Sequence, residues 1–262
     1  MEDSRPVRGD PGPREDETLE PLLVDRGYIL QKRRGYRFSL DAVVLADFAA
    51  RLYGKAKAGK TSHYLDLGTG CGVILVLLAK WGRGLSGYGV EIQESLADLA
   101  ARNLRLHGLE DRFQILRMNL TDLPARFPRG AFDWITSNPP YRRLETGRIN
   151  PDPRKALARH ELAASLEDIC GVMAYLLRDK GRSFLVYPAS RFAGLVFALR
   201  KAGLEPKTAR PVYPQPGERA SWVLVEAVFK GKEELSVEPP LFVQDGQGSY
   251  TDEMNRIFRW ES

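Results

Sequence analysis

The 262-residue chain is poor in the residues that staple or metallate a fold: two cysteines, Cys71 and Cys170, and three histidines. Two cysteines without a paired motif give no disulfide framework. His160 has no partner at metal-ligand spacing, which argues against a metal site. No apolar run approaches the roughly 18 to 20 residues that a membrane span needs. The first 25 residues lack the apolar core of a secretory signal. The expectation is a protein of the reducing cytoplasm, with no membrane and no metal. Its hydrophobic fraction, 43%, is ordinary for a globular protein, and its length suits one large domain or a core with a small appendage.

Charge is unevenly placed. The net charge is +5. Residues 1–25 carry eight acidic and three basic side chains, whereas residues 142–210 carry fourteen basic and seven acidic ones. Lys32-Arg33-Arg34 with Arg37 forms a further basic run. Clustered positive charge attracts a polyanion through counterion release, or it is only a solvated face.

Pro6, Pro11, Pro13 and dense charge predict an unstructured acidic tail over 1–25. Apolar residues at helical spacing follow Ser39, from Leu40 to Phe48. Strands are then expected at 64–67, 87–91, 113–118, 132–137 and 182–187. Helices are expected at 73–81, 95–107 and 191–202, with one long helix or two across 155–177. This alternation predicts an α/β fold with a mostly parallel sheet and helices on both faces. Residues 221–229 pair with the strand near 206–213 as an antiparallel C-terminal end. The expected division is a main domain over 26–231 and a loosely packed extension over 232–262, on or beside the core. Trp81 and Trp134 read as core residues, and Trp222 as packing beneath the antiparallel strand.

Two motifs carry chemistry. Asp66-Leu67-Gly68-Thr69-Gly70-Cys71-Gly72 follows a strand and opens a helix. Its glycines permit a tight turn and close approach of a ligand at the carboxyl end of the first strand. Glu91 ends the next strand, where a carboxylate can accept hydrogen bonds from two ribose hydroxyls. The loop alone suits S-adenosylmethionine, a dinucleotide or only a turn. Its G-x-G-x-G spacing, with an acid two residues ahead, resembles motif I of S-adenosylmethionine methyltransferases rather than the G-x-G-x-x-G dinucleotide fingerprint. Cys71 reads as a small buried residue rather than a redox group. After the third strand stands Asn119, followed by Leu120, where that family has an acidic residue at the cofactor adenine. Asp122 is the rival, and either residue could be only a cap.

The second motif is Asn138-Pro139-Pro140-Tyr141 at the end of the fourth strand. The prolines forbid helix and stiffen the turn. The Asn138 amide oxygen and a proline carbonyl can accept two N–H bonds from a neutral amino or amide nitrogen. They thereby aim its lone pair at a methyl group on sulfur. Tyr141 can stack on a flat substrate.

With these motifs the sequence resembles the Rossmann-like N6-adenine methyltransferases. Among them it is most similar to the bacterial tRNA(Val) N6-adenine methyltransferases, from about Arg26 onward. Gly35-Tyr36-Arg37-Phe38-Ser39-Leu40-Asp41 resembles a short family motif that encloses the cofactor. Ala158-Arg159-His160-Glu161, Pro239–Val243 and Gly248–Thr251 resemble further family segments. The resemblance implies S-adenosylmethionine as cofactor, held by Arg37, Phe38, Asp41, Asp66, Gly68, Thr69, Gly70, Cys71, Gly72, Glu91, Ile92, Asn119, Leu120 and Asn138. It implies catalysis by Asn138, Pro139, Pro140 and Tyr141 on the adenine 3′ of the tRNA(Val) anticodon. Arg142, Arg143, Arg148, Arg154, Arg159 and His160 would line the RNA path, and a homodimer stays open. Many relatives carry Phe where this chain has Arg142, a departure that bears on the RNA substrate. The alternative is methylation of a glutamine amide in translation release factors, since an amide also offers two N–H donors.

Overall fold

The computed structural model describes residues 12–22, 27–34, 37–54, 62–81, 84–139 and 164–259. A hairpin comes first, with strands β1 (Glu17–Pro21) and β2 (Tyr28–Lys32), then helix α1 (Leu40–Gly54). Strands β3 (Ser62–Leu67), β4 (Leu85–Glu91), β5 (Phe113–Arg117) and β6 (Phe132–Ser137) follow. Between them lie helices α2 (Val73–Trp81), α3 (Glu94–Leu106) and the single turn α4 (Leu123–Arg126). Helix α5 (Leu166–Leu176) leads into β7 (Leu177–Pro188), then α6 (Phe192–Lys201), β8 (Leu204–Tyr213) and β9 (Trp222–Phe229). Short strands β10 (Ser236–Val237) and β11 (Leu241–Phe242) and helix α7 (Asp252–Arg259) end the described chain.

The main sheet runs β5-β4-β3-β6-β7-β9-β8, with β10 and β11 both beside β8. Strands β3 to β7 pair in parallel. Strand β9 is antiparallel to β7 and to β8. The expected antiparallel strand is therefore present, but it lies between two others, and β8 lies outside it. Alternation along each strand sorts apolar residues onto two faces. Tyr64, Trp134, Phe184 and Val186 face one apolar cluster with α1 and α2, and Leu65, Ile135, Leu185 and Tyr187 face another with α5 and α6. Burial on both faces explains why these strands read as short apolar runs. Seven consecutive residues of α2, Val73–Ala79, are buried, as expected of a helix that is apolar all round. Trp134 is central to the first cluster. Its ring stacks on Tyr53 at 4.5 Å and meets Phe184 edge-on at 5.7 Å.

Two expectations are corrected. The acidic tail is ordered from Gly12 to Leu22, and β1 pairs with β2 throughout its length. The reason is Glu17. Its fully buried carboxylate accepts hydrogen bonds from Arg102 at 2.7 and 2.8 Å, Lys32 at 3.1 Å and the Arg14 backbone N–H at 2.9 Å. Acidic residues here are partners rather than solvating charge. They also hold part of the basic run: Lys32 pairs with Asp16 and Glu17, and Arg37 pairs with Glu20, while Arg33 donates to the backbone carbonyl of Glu15. Part of the 232–262 extension is anchored in the core rather than loosely packed: Leu241, Val243, Met254, Ile257 and Phe258 lie inside the first cluster. Of the expected stretch of one long helix or two over 155–177, the described part holds a helix from Leu166 to Leu176, where Ser165 and Asp168 form a capping box, and Leu177 begins a strand. Residues 155–163 lie outside the described residues.

Burial raises the Glu17 carboxyl and its hydrogen bonds lower it; the bonds prevail, and the group sits below its ordinary value. Its stabilising effect is therefore present at neutral pH and fades as pH falls through its lowered folded value. Arg102→Ala would leave this carboxylate buried with weaker compensation, at a cost of about 3–5 kcal/mol. Urea titration at pH 7 should show that loss, and the difference from wild type should shrink on acidification below pH 4.

Candidate active site

The carboxyl ends of β3, β4 and β6 meet at one edge of the sheet. The turn after β3 takes Gly68, Gly70 and Gly72 to φ values of 73°, 56° and 81°. L side chains rarely adopt this left-handed conformation, which accounts for the glycines. The turn is also held close to α3. A Cβ on Gly72 would stand 3.3 Å from that of Ala100, whereas one on Gly68 would meet nothing within 4 Å. The loop thus packs on its inner side and leaves room at Gly68.

Buried side chains fix this turn. Glu91 Oε2 accepts the Gly70 N–H at 3.1 Å and Oε1 accepts the Gln93 N–H at 2.9 Å. Each oxygen keeps a second lone pair, the acceptor pair that vicinal ribose hydroxyls require. Thr136 Oγ1 donates to Asp66 Oδ1 at 2.6 Å, so Tyr64, the other hydroxyl on Thr136, must be a donor to it. Ser137 Oγ donates to the Leu67 carbonyl at 3.0 Å, joining the end of β6 to the start of the turn. Asn138 and Pro139 come directly after that link, half-buried and buried respectively.

Electrostatics at this edge are tense. Desolvation pushes Asp66 up to about 6 against hydrogen bonds from Thr136 and Thr69, and the nearby Glu91 charge adds a little to the rise. Desolvation also raises Glu91, against its backbone hydrogen bonds. Cys71 is buried and free, its thiol pushed up to about 12 by desolvation, as expected of a packing residue rather than a nucleophile. Asp66 Oδ2 and Thr69 Oγ1 are buried, and beyond a weak Thr69–Asp66 interaction neither has a hydrogen-bond partner among the described residues. An open space over Gly68, two buried polar atoms with spare hydrogen-bonding capacity and the Glu91 acceptor pair fit a ligand with hydroxyl and amino donors, as S-adenosylmethionine has. No group of His, Cys, Asp and Glu able to hold a metal occurs among the described residues.

The remaining expected residues fall into three groups. Arg37, Phe38 and Asp41 stand just before and at the start of α1. Phe38 N–H donates to Gln31 Oε1 at 3.1 Å, and Asp41 Oδ1 accepts from Ser39 Oγ at 2.6 Å. Ile92 and Leu120 are half-buried after β4 and β5. Asn119 is the cap of the short turn 120–122, its Oδ1 accepting from Thr121 N–H at 3.2 Å, while Asp122 is exposed. Pro140, Tyr141, Arg142, Arg143, Arg148, Arg154, Arg159 and His160 lie outside the described residues. The sequence reading missed Gln31, Asn103, Thr136 and Ser137. The one available signal was Arg102-Asn103 interrupting an apolar helix face.

The Asp66 carboxyl makes a testable contribution to stability. Its folded value is above its unfolded one, so the folded state holds a proton that the unfolded state has lost between about pH 4 and 6. Stability therefore falls as pH rises through that window, by roughly 3 kcal/mol when complete. Asp66→Asn keeps an acceptor for Thr136 and has no charge to bury. The variant should match wild type near pH 4 and exceed it in urea midpoint at pH 8; parallel pH profiles would refute this.

Comparison with known proteins agrees with this geometry. The chain is 29% identical over 217 residues to a tRNA1(Val) (adenine(37)-N6)-methyltransferase of Pedobacter heparinus, covering 82% of this chain and 86% of that protein. It is 32% identical over 162 residues to a protein of the same description from Porphyromonas gingivalis, 61% of each chain. A release factor glutamine methyltransferase of Agrobacterium fabrum is 35% identical over 151 residues, 56% of this chain and 49% of that protein. Among solved structures, a predicted O-methyltransferase from Agrobacterium tumefaciens superposes with a TM-score of 0.64 at 20% identity, covering 83% of this chain and 95% of that one. That likeness establishes the Rossmann-like fold. The methyltransferase-domain profile matches residues 58–194, over half of the chain and including the glycine turn, Glu91 and Asn138: the protein belongs to the methyltransferase-domain family.

Proposed function

We infer that the chain methylates the N6 amino group of an adenine in tRNA, with S-adenosylmethionine as cofactor. The observation that carries this reading is the placement of Asn138 and Pro139 immediately after the Ser137–Leu67 link, beside the glycine turn. An amine acceptor and a methyl-donor loop then stand at one sheet edge. The names of the Pedobacter and Porphyromonas relatives support adenine as the target.

The chain's residues divide the work. The Gly68–Gly72 backbone and Glu91 hold the cofactor, Glu91 through the ribose hydroxyls. The Arg37–Asp41 segment encloses it. S-adenosylmethionine, when bound, supplies a sulfonium methyl group open to in-line displacement. The Asn138 amide oxygen and the Pro139 carbonyl accept the two N–H bonds of the target nitrogen and aim its lone pair. Tyr141 stacks on the base. Strong general-base assistance is unnecessary, because the nitrogen becomes acidic as the new bond forms and its proton leaves during or after transfer. Rate enhancement then rests on positioning and oriented dipoles.

The glutamine-amide reading shares all of this chemistry, and the Agrobacterium fabrum relative favours it. Purified protein with labelled S-adenosylmethionine separates the two. We expect label in unmodified tRNA, recovered as N6-methyladenosine by nucleoside mass spectrometry. Label only in release factors, as methylglutamine, would replace the first reading by the second. Asn138→Ala should slow single-turnover transfer by on the order of 100- to 1000-fold and leave cofactor binding in place. A folded Asn138→Ala protein with wild-type turnover would remove Asn138 from the mechanism.

A further inference from the structure

Asn103 is fully buried on α3, and its amide reaches two separate parts of the molecule. Its Oδ1 accepts the Leu30 N–H at 2.7 Å, and its Nδ2 donates to the Leu30 carbonyl at 3.0 Å. The same Nδ2 donates to the Cys71 carbonyl at 2.8 Å. Both N–H bonds and one oxygen lone pair are thus used on backbone groups. One end of this bridge is β2 of the N-terminal hairpin. The other is the peptide between Cys71 and Gly72, inside the glycine turn.

We propose that Asn103 is a positioning residue for the methyl-donor site, which makes docking of the N-terminal hairpin and the shape of the glycine turn one cooperative unit. The turn is pinned on both sides of Cys71. Glu91 holds the Gly70 N–H, and Asn103 holds the Cys71 carbonyl. Three glycines with positive φ give the turn wide conformational freedom in the absence of such anchors. The hairpin reaches the site by a second route as well. Gln31, next to Leu30, accepts the Phe38 N–H at 3.1 Å and donates to Glu20 at 3.0 Å, and Glu20 pairs with Arg37. A ligand that orders the turn should therefore tighten the hairpin through Asn103, and loss of Asn103 should loosen the ligand. Coupling of this kind is reciprocal. The proposal rests on the reading of residues 66–72 as the cofactor loop.

Two measurements test it with S-adenosylhomocysteine as the probe. In the wild-type protein, hydrogen exchange at the Leu30 amide, whose acceptor is Asn103, should slow about tenfold or more on saturation with the probe. In Asn103→Ala, calorimetry should show probe binding weakened by about tenfold or more. A residue that only supports the fold would lower the apo melting temperature and leave the dissociation constant at its wild-type value. That result, or Leu30 exchange unchanged while the Gly70 amide slows, overturns the proposal and spares the cofactor reading. Wild-type protein that does not bind the probe overturns both. If Asn103→Ala does not fold, the wild-type exchange measurement decides alone.

Discussion

The site depends on buried hydrogen bonds that tie the carboxyl ends of three parallel strands together. Ladder bonds keep β3, β4 and β6 in register along their length, but each ladder stops where the site begins. Around that point side chains add to the ladder: Thr136 with Asp66, Ser137 with the Leu67 carbonyl, and Glu91 with the Gly70 N–H. Such bonds are strong in a low-dielectric interior, and an unmade one there is costly. Two carboxylates are buried in this small volume, and desolvation above all, with a smaller share from the Glu91 charge, raises Asp66 to about 6. Geometry at the site is thus held against a charge penalty rather than for a stability gain.

Helix α3 extends the same arrangement to the N-terminus. Asp98, Arg102, Asn103 and His107 form a polar seam along a helix otherwise buried by Leu96, Leu99, Ala100 and Leu104. Asp98 pairs with Arg14, Arg102 with Glu17, Asn103 holds Leu30, and His107 Nε2 meets the Tyr28 carbonyl at 2.8 Å. A carbonyl can only accept, so Nε2 carries the His107 proton. Desolvation, with the Lys80 charge, lowers the His107 value against its hydrogen bond to Tyr28, and this favours the neutral ring. The seam thus joins both hairpin strands to the helix that flanks the glycine turn.

Much of the fold was legible because its signals are local. The β6 reading, Phe132–Ser137, and the α2 reading, Val73–Trp81, agree with the structure at both ends, since apolar runs and a glycine turn bound them. The same locality exposed Gly68–Gly72, Glu91 and Asn138. What stayed hidden involves partners far apart in sequence. Glu17 reads as tail charge until Arg102, 85 residues away, is placed beside it. Asn103 reads as an imperfection in an amphipathic helix until Leu30 and Cys71 stand on either side. The same holds for β9: its antiparallel pairing with β8 follows from a turn of Pro and Gly, but its insertion beside β7 is a long-range choice.

The charge map narrows in the same way. The basic excess over 142–210 suggested one broad polyanion-attracting face, yet four of its arginines are held by carboxylates. Arg178 pairs with Asp133, Arg182 with Glu226, Arg200 with Glu205 and Glu233, and Arg210 with Glu253. In the run at 32–37, Lys32 and Arg37 are likewise held by Asp16, Glu17 and Glu20. A paired arginine adds little to the field that a phosphate backbone meets at a distance, because its partner cancels it. Under the tRNA reading, Arg142, Arg143, Arg148, Arg154 and Arg159, the arginines that follow Asn138-Pro139-Pro140-Tyr141 most closely in sequence, would supply steering charge beside the site. An RNA drawn to that segment is drawn to the part of the chain that also carries the amine acceptor, so that attraction and alignment of the target base have a common origin.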